Sequence, residues 1–191
     1  MLHNLENLGA ICEGRVLERN TLFDTPDSDL RNRGGLLRLR VETAASRDAR
    51  RQKHAGTKLP RCILTSKFPA RPRHDDSAPR YKEKLERELG APGPPSRWRR
   101  VLRSLGLRPA FRYEKFRTTF RLRTVPGLAL DLDETPAGTF LELEGRPRAI
   151  DRAARALGYS ARDYYRGTYW DVYAADCRRR GRTPRNMVFG A

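Results

Sequence analysis

Four carboxylates stand at alternate positions on either side of one turn. Asp131 and Asp133 precede Thr135-Pro136-Ala137-Gly138, and Glu142 and Glu144 follow it. Side chains alternate across a strand, so residues 129–145 read as a hairpin with the acids on one face. Leu130, Leu132, Leu141 and Leu143 take the other. Carboxylates at this density repel one another unless cations sit among them. The cations are either Lys and Arg from neighbouring strands or a bound divalent metal. A plain solvated sheet face is the competing reading, and one hairpin alone does not decide between them.

The elements that must position these acids show the same alternation. Residues 36–42 set Arg38, Arg40 and Glu42 against Leu37, Leu39 and Val41. Residues 61–67 put Ile63, Thr65 and Lys67 on one face. Residues 81–89, read as a strand, gather Lys84, Glu86 and Glu88, although the same letters suit a helix by propensity. Residues 110–123 set Lys115, Arg117, Thr119, Arg121 and Arg123 against Phe116, Phe120 and Leu122. An ordinary half-exposed sheet carries short, mixed polar residues. Here the polar faces are ionic and sorted by strand, which predicts an α+β fold: an antiparallel β-barrel, ionic inside and apolar outside, with helices packed outside. So many interior charges are costly unless paired or wet. Rows of Lys and Arg suit phosphate oxygens, and clustered Asp and Glu suit Mg²⁺ or Mn²⁺. Together they describe a pocket for a metal-chelated polyphosphate.

The whole-chain totals agree with this reading. The 191 residues are 38% hydrophobic and 33% charged, with a net charge of +17. That suits one domain with a modest core and a polyanionic partner. The expected domain is 1–177, with a basic tail at 178–191. Cys12, Cys62 and Cys177 are odd in number and scattered, as in a reducing compartment such as the cytoplasm. The three histidines form no zinc pattern. No apolar run approaches the ~20 residues of a membrane span, so no membrane partner is expected. Residues 1–10 resemble no signal peptide, and no Walker or dinucleotide glycine pattern occurs. Further expected elements are the end of a helix at 1–10, a strand at 15–23, a turn at 24–27 and a helical turn at 30–33. A helix capped by Ser96 should run over 96–105, with others at 150–157 and 168–177. The basic run 47–53 is a solvated loop or, on a second reading, a nucleic-acid contact.

Seven segments of the chain resemble the CYTH domains, the triphosphate tunnel metalloenzymes. They are ERNTLFDTPDSDL (18–30), LLRLR (36–40), LTSK (64–67), K-x-E-x-E (84–88), FRYEKFRTTF (111–120), LDETPAGTFLELEG (132–145) and GTYWDVY (167–173). The likeness is strongest to bacterial proteins of the class IV adenylate cyclase type, with thiamine triphosphatases as relatives. The resemblance implies an eight-stranded antiparallel tunnel. It implies that Arg38, Arg40, Lys67, Lys84, Lys115 and Arg117 grip a triphosphate, with Arg121 further along the same face. Lys67, Lys115 and Arg117 would supply electrostatic stabilisation. It implies metal ligation by Glu142 and Glu144 with help from Asp133, and a lining role for Glu86 and Glu88. Asp131 shares the face but lies outside the motif.

The chain departs from the family pattern in three places. The E-x-E-x-K of the first strand is absent, leaving seven strands. Phe68 stands where glycine follows the lysine, and Lys84 where arginine is usual. Met1 falls inside what reads as the first helix, so either the true start lies upstream or the chain is a shortened, inactive copy.

The leading expectation is an Mg²⁺- or Mn²⁺-dependent enzyme acting on ATP, tripolyphosphate or thiamine triphosphate, by cyclisation or by hydrolysis. The alternatives are a degenerate module that binds polyphosphate without turnover, and a nucleic-acid binder. The last explains the charge but not the sorted acids. The sequence leaves the reaction, the metal and the oligomeric state, a homodimer included, open.

Overall fold

The computed structural model describes residues 2–45, 60–69 and 84–190. The basic run 47–53 lies outside them. Seven strands and five α-helices are described. In chain order they are α1 (Leu2–Asn7), β1 (Ala10–Asp24), α2 (Asp29–Asn32), β2 (Leu36–Ala44), β3 (Arg61–Pro69) and β4 (Lys84–Gly90). Then come α3 (Pro95–Ser104), β5 (Arg108–Leu122), β6 (Ala129–Thr135), β7 (Gly138–Glu144), α4 (Pro147–Ala156) and α5 (Tyr169–Arg179). The sheet order is β4-β3-β2-β1-β5-β6-β7. The ladders β1–β2, β2–β3, β3–β4, β5–β6 and β6–β7 are antiparallel. The fold is thus α+β with an antiparallel sheet and helices on its apolar face. The eighth strand implied by the resemblance is not among the described residues.

Two compact units make up the chain: Met1–Arg15 with Phe116–Pro184, and Val16–Lys115 with Arg185–Ala191. In the first, Phe120, Leu122, Leu130 and Leu132 form an apolar layer with Leu5 of α1 and Ala153 and Leu157 at α4. In the second, Phe23, Leu39, Val41 and Cys62 pack with Leu102 of α3, and Trp98 lies against them. In both, period-two alternation turns the apolar residues toward the helices and the charged ones to the reverse face.

Several boundaries differ from the pattern reading for physical reasons. β1 starts at Ala10 rather than near 15, since residues 10–15 join the strand without clean alternation; Glu13 there pairs with Arg121 at 3.0 Å. Residues 84–90 are a strand although their letters favour a helix, because the ladder with β3 holds them from Ile63↔Gly90 to Pro69↔Lys84. Such tertiary pairing overrides propensity. α3 begins at Pro95 with no side-chain cap, so Ser96 is not its cap. Proline's fixed φ serves the first helical position instead. The tail is anchored at Met187, which is 1% exposed. Its backbone bonds to Arg112 and Glu114 at 2.9 Å each.

Candidate functional site

In the unit built on β1–β4, strand register sets like charges opposite each other and an arginine between them. Glu18 lies directly across from Glu42, and Asn20 across from Arg40. Carboxylates so placed repel. Arg40 resolves this: its guanidinium reaches Glu18 at 3.5 Å and Glu42 at 3.3 Å. Glu18 also receives Lys115 Nζ at 3.6 Å, both side chains being almost fully buried. Asn20 donates to Glu18 at 3.3 Å. One strand further, Lys67 sits opposite Glu86 and bonds it at 2.7 Å. Thr65, opposite Glu88, donates to it at 3.0 Å.

Arg38 completes this cluster. It donates to Tyr113 Oη at 3.3 Å and to Thr65 Oγ1 at 3.2 Å, and lies 3.5 Å from Glu88 and 3.8 Å from Glu86. Burial alone pulls the Arg38 pKa down. The surrounding Tyr113, Glu18 and Glu86 outweigh this and leave it above the usual value. Arg38 is therefore a fixed positive charge. Asp24, at the end of β1, accepts from the backbone N–H groups of Thr25 (2.8 Å), Leu30 (2.9 Å) and Arg31 (3.1 Å). It thereby pins the turn that feeds α2 and the arginines of β2.

The other unit repeats the device. Asp131 lies directly across from Glu142, and Arg117 across from Asp133. Arg117 binds all three carboxylates. It meets Asp133 through Nε at 2.8 Å and Nη2 at 2.6 Å, Asp131 through Nη1 at 2.9 Å, and Glu142 through Nη2. Thr119 donates to Asp131 at 2.7 Å. Tyr169 donates its hydroxyl to Asp133, whose side chain is wholly buried, and its ring meets Phe140 edge-on. Burial, then Glu142 and Asp133, push the Tyr169 phenol far above its ordinary pKa, so it stays a donor. The N-cap Thr168 positions Tyr169 through a capping box with Asp171.

The first cluster sets Arg38, Arg40, Lys67 and Lys115 against Glu18, Glu42, Glu86 and Glu88. In the second, Arg117 pairs with Asp131, Asp133 and Glu142. Part of the chain's excess of +17 lies on α3, where Arg97, Arg99, Arg100 and Arg103 are exposed.

The pattern of the CYTH domain matches residues 1–169. The chain belongs to the CYTH family. Solved structures of the same fold include the PH1819 protein of Pyrococcus horikoshii OT3, at 18% identity and TM-score 0.70, with 92% of each chain covered. The PH1012 protein of the same organism aligns at 20% identity and TM-score 0.62, with 90% of each chain covered. A candidate adenylate cyclase of Vibrio parahaemolyticus aligns at 15% identity and TM-score 0.63, covering 90% of this chain and 88% of its own. No curated protein matches the chain at a significant level.

In this CYTH chain the residues singled out by sequence are placed unevenly. Arg38, Arg40, Lys67, Glu86 and Glu88 converge in one unit, with Lys115 joined to them through Glu18 and Arg40. Arg117, Asp133 and Glu142 converge in the other, and Asp131, which the motif left out, joins them. Arg121 is half-exposed and pairs with Glu13. Arg123 falls beyond the end of β5. Glu144 is exposed at the last position of β7, and Lys84 is half-buried at the first of β4.

Among the described residues, no three His, Cys, Asp or Glu are spaced to hold a metal ion. Asp131, Asp133 and Glu142 carry hard oxygen donors, the type that suits Mg²⁺ or Mn²⁺. In placement, the Arg117 guanidinium stands among them.

Sequence reasoning passed over Glu18, Tyr113 and Tyr169. For Glu18 no clean signal existed, because apolar residues fall at both parities of its strand. For Tyr169 the available signal was the Thr-x-x-Asp box that starts a helix on an aromatic residue.

Proposed function

We propose that this CYTH domain binds a triphosphate together with a divalent cation, Mg²⁺ or Mn²⁺, and converts it. The observation that carries this reading is the set Arg38, Arg40, Lys67 and Lys115, held by named carboxylates on one sheet face. These cations are assigned to phosphate oxygens. They are preorganised, so little reorganisation is needed when charge develops on the phosphate. Asp131, Asp133 and Glu142 are assigned to the cation. When bound, it neutralises phosphate charge and orients the attacking oxygen.

The chain's own residues fix the geometry. Glu18 holds Lys115 and Arg40, Glu86 holds Lys67, and Tyr113 holds Arg38. Two outcomes share this arrangement. In one, water attacks the terminal phosphorus, the bond to the bridging oxygen breaks, the diphosphate leaves and the terminal phosphorus is released as inorganic phosphate. In the other, a ribose 3′-hydroxyl attacks the α-phosphorus of ATP and pyrophosphate leaves. The likeness to a candidate adenylate cyclase supports including the second. Isothermal titration of ATP and tripolyphosphate, with and without Mg²⁺ or Mn²⁺, tests the binding step. Tight binding only with metal is expected, and equal affinity in both conditions overturns the metal role. Product analysis for phosphate against cyclic nucleotide plus pyrophosphate then separates the reactions.

A second reading is binding without turnover. The carboxylate partner of each cation in the first cluster and the position of Arg117 favour it. Saturable, metal-dependent binding with no product over long incubation selects it.

A further inference from the structure

We propose that residues 186–189, which lie outside the stretch matched by the CYTH pattern, are a positioning element for Arg38 and act through Tyr113. The inference rests on the triphosphate reading above and deepens it, since it names what aims one of the arginines assigned to phosphate. Both chain neighbours of Tyr113 are tied to Met187. The Met187 N–H donates to the Arg112 carbonyl, and the Met187 carbonyl accepts from the Glu114 N–H, at 2.9 Å each. Flanking residues close the bracket. Asn186 Oδ1 accepts from the Arg112 N–H at 3.0 Å, and the Phe189 N–H donates to the Glu114 carboxylate at 3.3 Å. The β6 ladder meets β5 from Phe116 to Arg121, so residues 112–114 of β5 lie beyond it and take these bonds from the segment. Segment, Tyr113 and Arg38 belong to the same compact unit.

A backbone held at 112 and 114 fixes the direction of the side chain between them. Tyr113 is buried, and its ring stacks on that of Phe111 with centroids 5.8 Å apart. Its hydroxyl accepts from Arg38 Nη1 at 3.3 Å. The other arm of the guanidinium, Nη2, faces Thr65, Glu88 and Glu86. Those carboxylates draw the guanidinium toward β4, and Tyr113 restrains it by the opposite arm. With both arms engaged, the Nε of Arg38 is buried without an acceptor among the described residues. A buried donor so left is costly, and an incoming phosphate oxygen satisfies it. A Tyr113 that shifts frees the guanidinium to turn toward the carboxylates and takes this donor off its aim.

The measurement is tripolyphosphate affinity of the full-length chain by titration calorimetry with Mg²⁺ present, well below the melting temperature. Tyr113→Phe removes the hydroxyl. Met187→Asp sets a charge at a buried position and so undocks the segment. Each should lower the affinity at least ~10-fold, as does loss of a group that orients a binding side chain. The double variant should bind no more weakly than the weaker single one, because both act by one route. In an Arg38→Lys background, which lacks the forked contact, neither change should weaken binding further. Met187→Leu, of similar volume, should bind as wild type does. Asn186→Ala loses the acceptor for the Arg112 N–H and should weaken binding by less, which covers the case of a poorly folding Met187→Asp. A segment that only stabilises the sheet would lower the melting temperature and leave the affinity unchanged. Wild-type affinity in Tyr113→Phe or in both segment variants, or additive losses in the double variant, overturns the positioning role and leaves the triphosphate reading intact. Absence of tripolyphosphate binding to the wild type overturns that reading, and the positioning role with it.

Discussion

Asp131 and Glu142 face each other directly across the β6–β7 ladder, a placement that like charges oppose unless a cation lies between them. Glu18 and Glu42 do the same across β1 and β2. In each case one arginine joins the opposed pair: Arg117 in the first and Arg40 in the second. The recurrence ties the ionic face to strand register, because sliding either strand by one residue would turn its carboxylates to the apolar side. The charged face is thus part of what holds the sheet as well as what the sheet displays.

Arg40 and Lys67 should respond differently to truncation. Arg40 is largely buried beside Glu18, which is 1% exposed. Removing one partner of a buried pair costs about 3–5 kcal/mol, so Arg40→Ala should lower the melting temperature clearly. Glu18→Gln in the same chain should recover part of the loss. Lys67 and Glu86 are more exposed, and such pairs contribute about 1 kcal/mol or less. Lys67→Ala should therefore fold nearly as wild type yet lose triphosphate affinity by ~10²-fold, the order found when a preorganised charge partner is removed. Thermal denaturation alongside titration calorimetry checks both, and an equal melting shift for the two variants contradicts the division.

Tyr169 gives a pH signature. Its folded-state pKa is raised by burial and by Glu142 and Asp133, whereas a tyrosine in the unfolded chain ionises near pH 10. The unfolded state therefore releases this proton first. The stability linked to Tyr169 is fully present below about pH 10 and is lost as pH rises beyond it. Tyr169→Phe should show a shallower fall of melting temperature above that pH. The alkaline absorbance step of the folded protein, which has seven tyrosines, should be the same size in wild type and variant. A step smaller by one tyrosine's share would show that Tyr169 ionises in the folded state.

The legible parts of the chain are those with strict alternation. The acids of β6 and β7 and the cations of β2 and β5 could be assigned to a face from period two alone, and the ladders confirm the shared faces. Glu18 could not be assigned, because Val16, Leu17, Leu22 and Phe23 put apolar residues at both parities and leave no polar face to read. β4 could not be separated from a helix, since Lys, Leu, Glu and Arg favour helix and only the partner strand decides. Tyr169 reaches Asp133 from a helix more than thirty residues away, a relation that no local spacing encodes. The family pattern likewise does not show that Arg117 sits among the acids, because contacts across a ladder follow from register and side-chain length together.

Asp24 should matter for stability although it lies outside the ionic clusters. It is 6% exposed and accepts three backbone N–H groups. Asp24→Ala leaves those donors without their acceptor and should cost about 1–3 kcal/mol, read from the denaturant midpoint. Asp24→Asn keeps one acceptor oxygen and should lose less. Ordering the two variants the other way would show that the carboxylate acts through something other than the turn.

The Glu18–Lys115 pair separates stability from binding most cleanly. Lys115 is 2% exposed and Glu18 1%, with 3.6 Å between Nζ and Oε2. Lys115→Met leaves Glu18 buried with less compensation and should destabilise by about 3–5 kcal/mol, whereas a matched apolar pair such as Lys115→Met with Glu18→Leu is often neutral or better. The double variant should therefore regain most of the lost stability. Triphosphate binding should not return with it, because the buried cation assigned to the phosphate is gone in both. Denaturant unfolding and titration calorimetry on the wild type, the two single variants and the double variant complete the cycle. If binding recovers together with stability, Lys115 serves the fold alone and phosphate recognition rests on Arg38, Arg40 and Lys67.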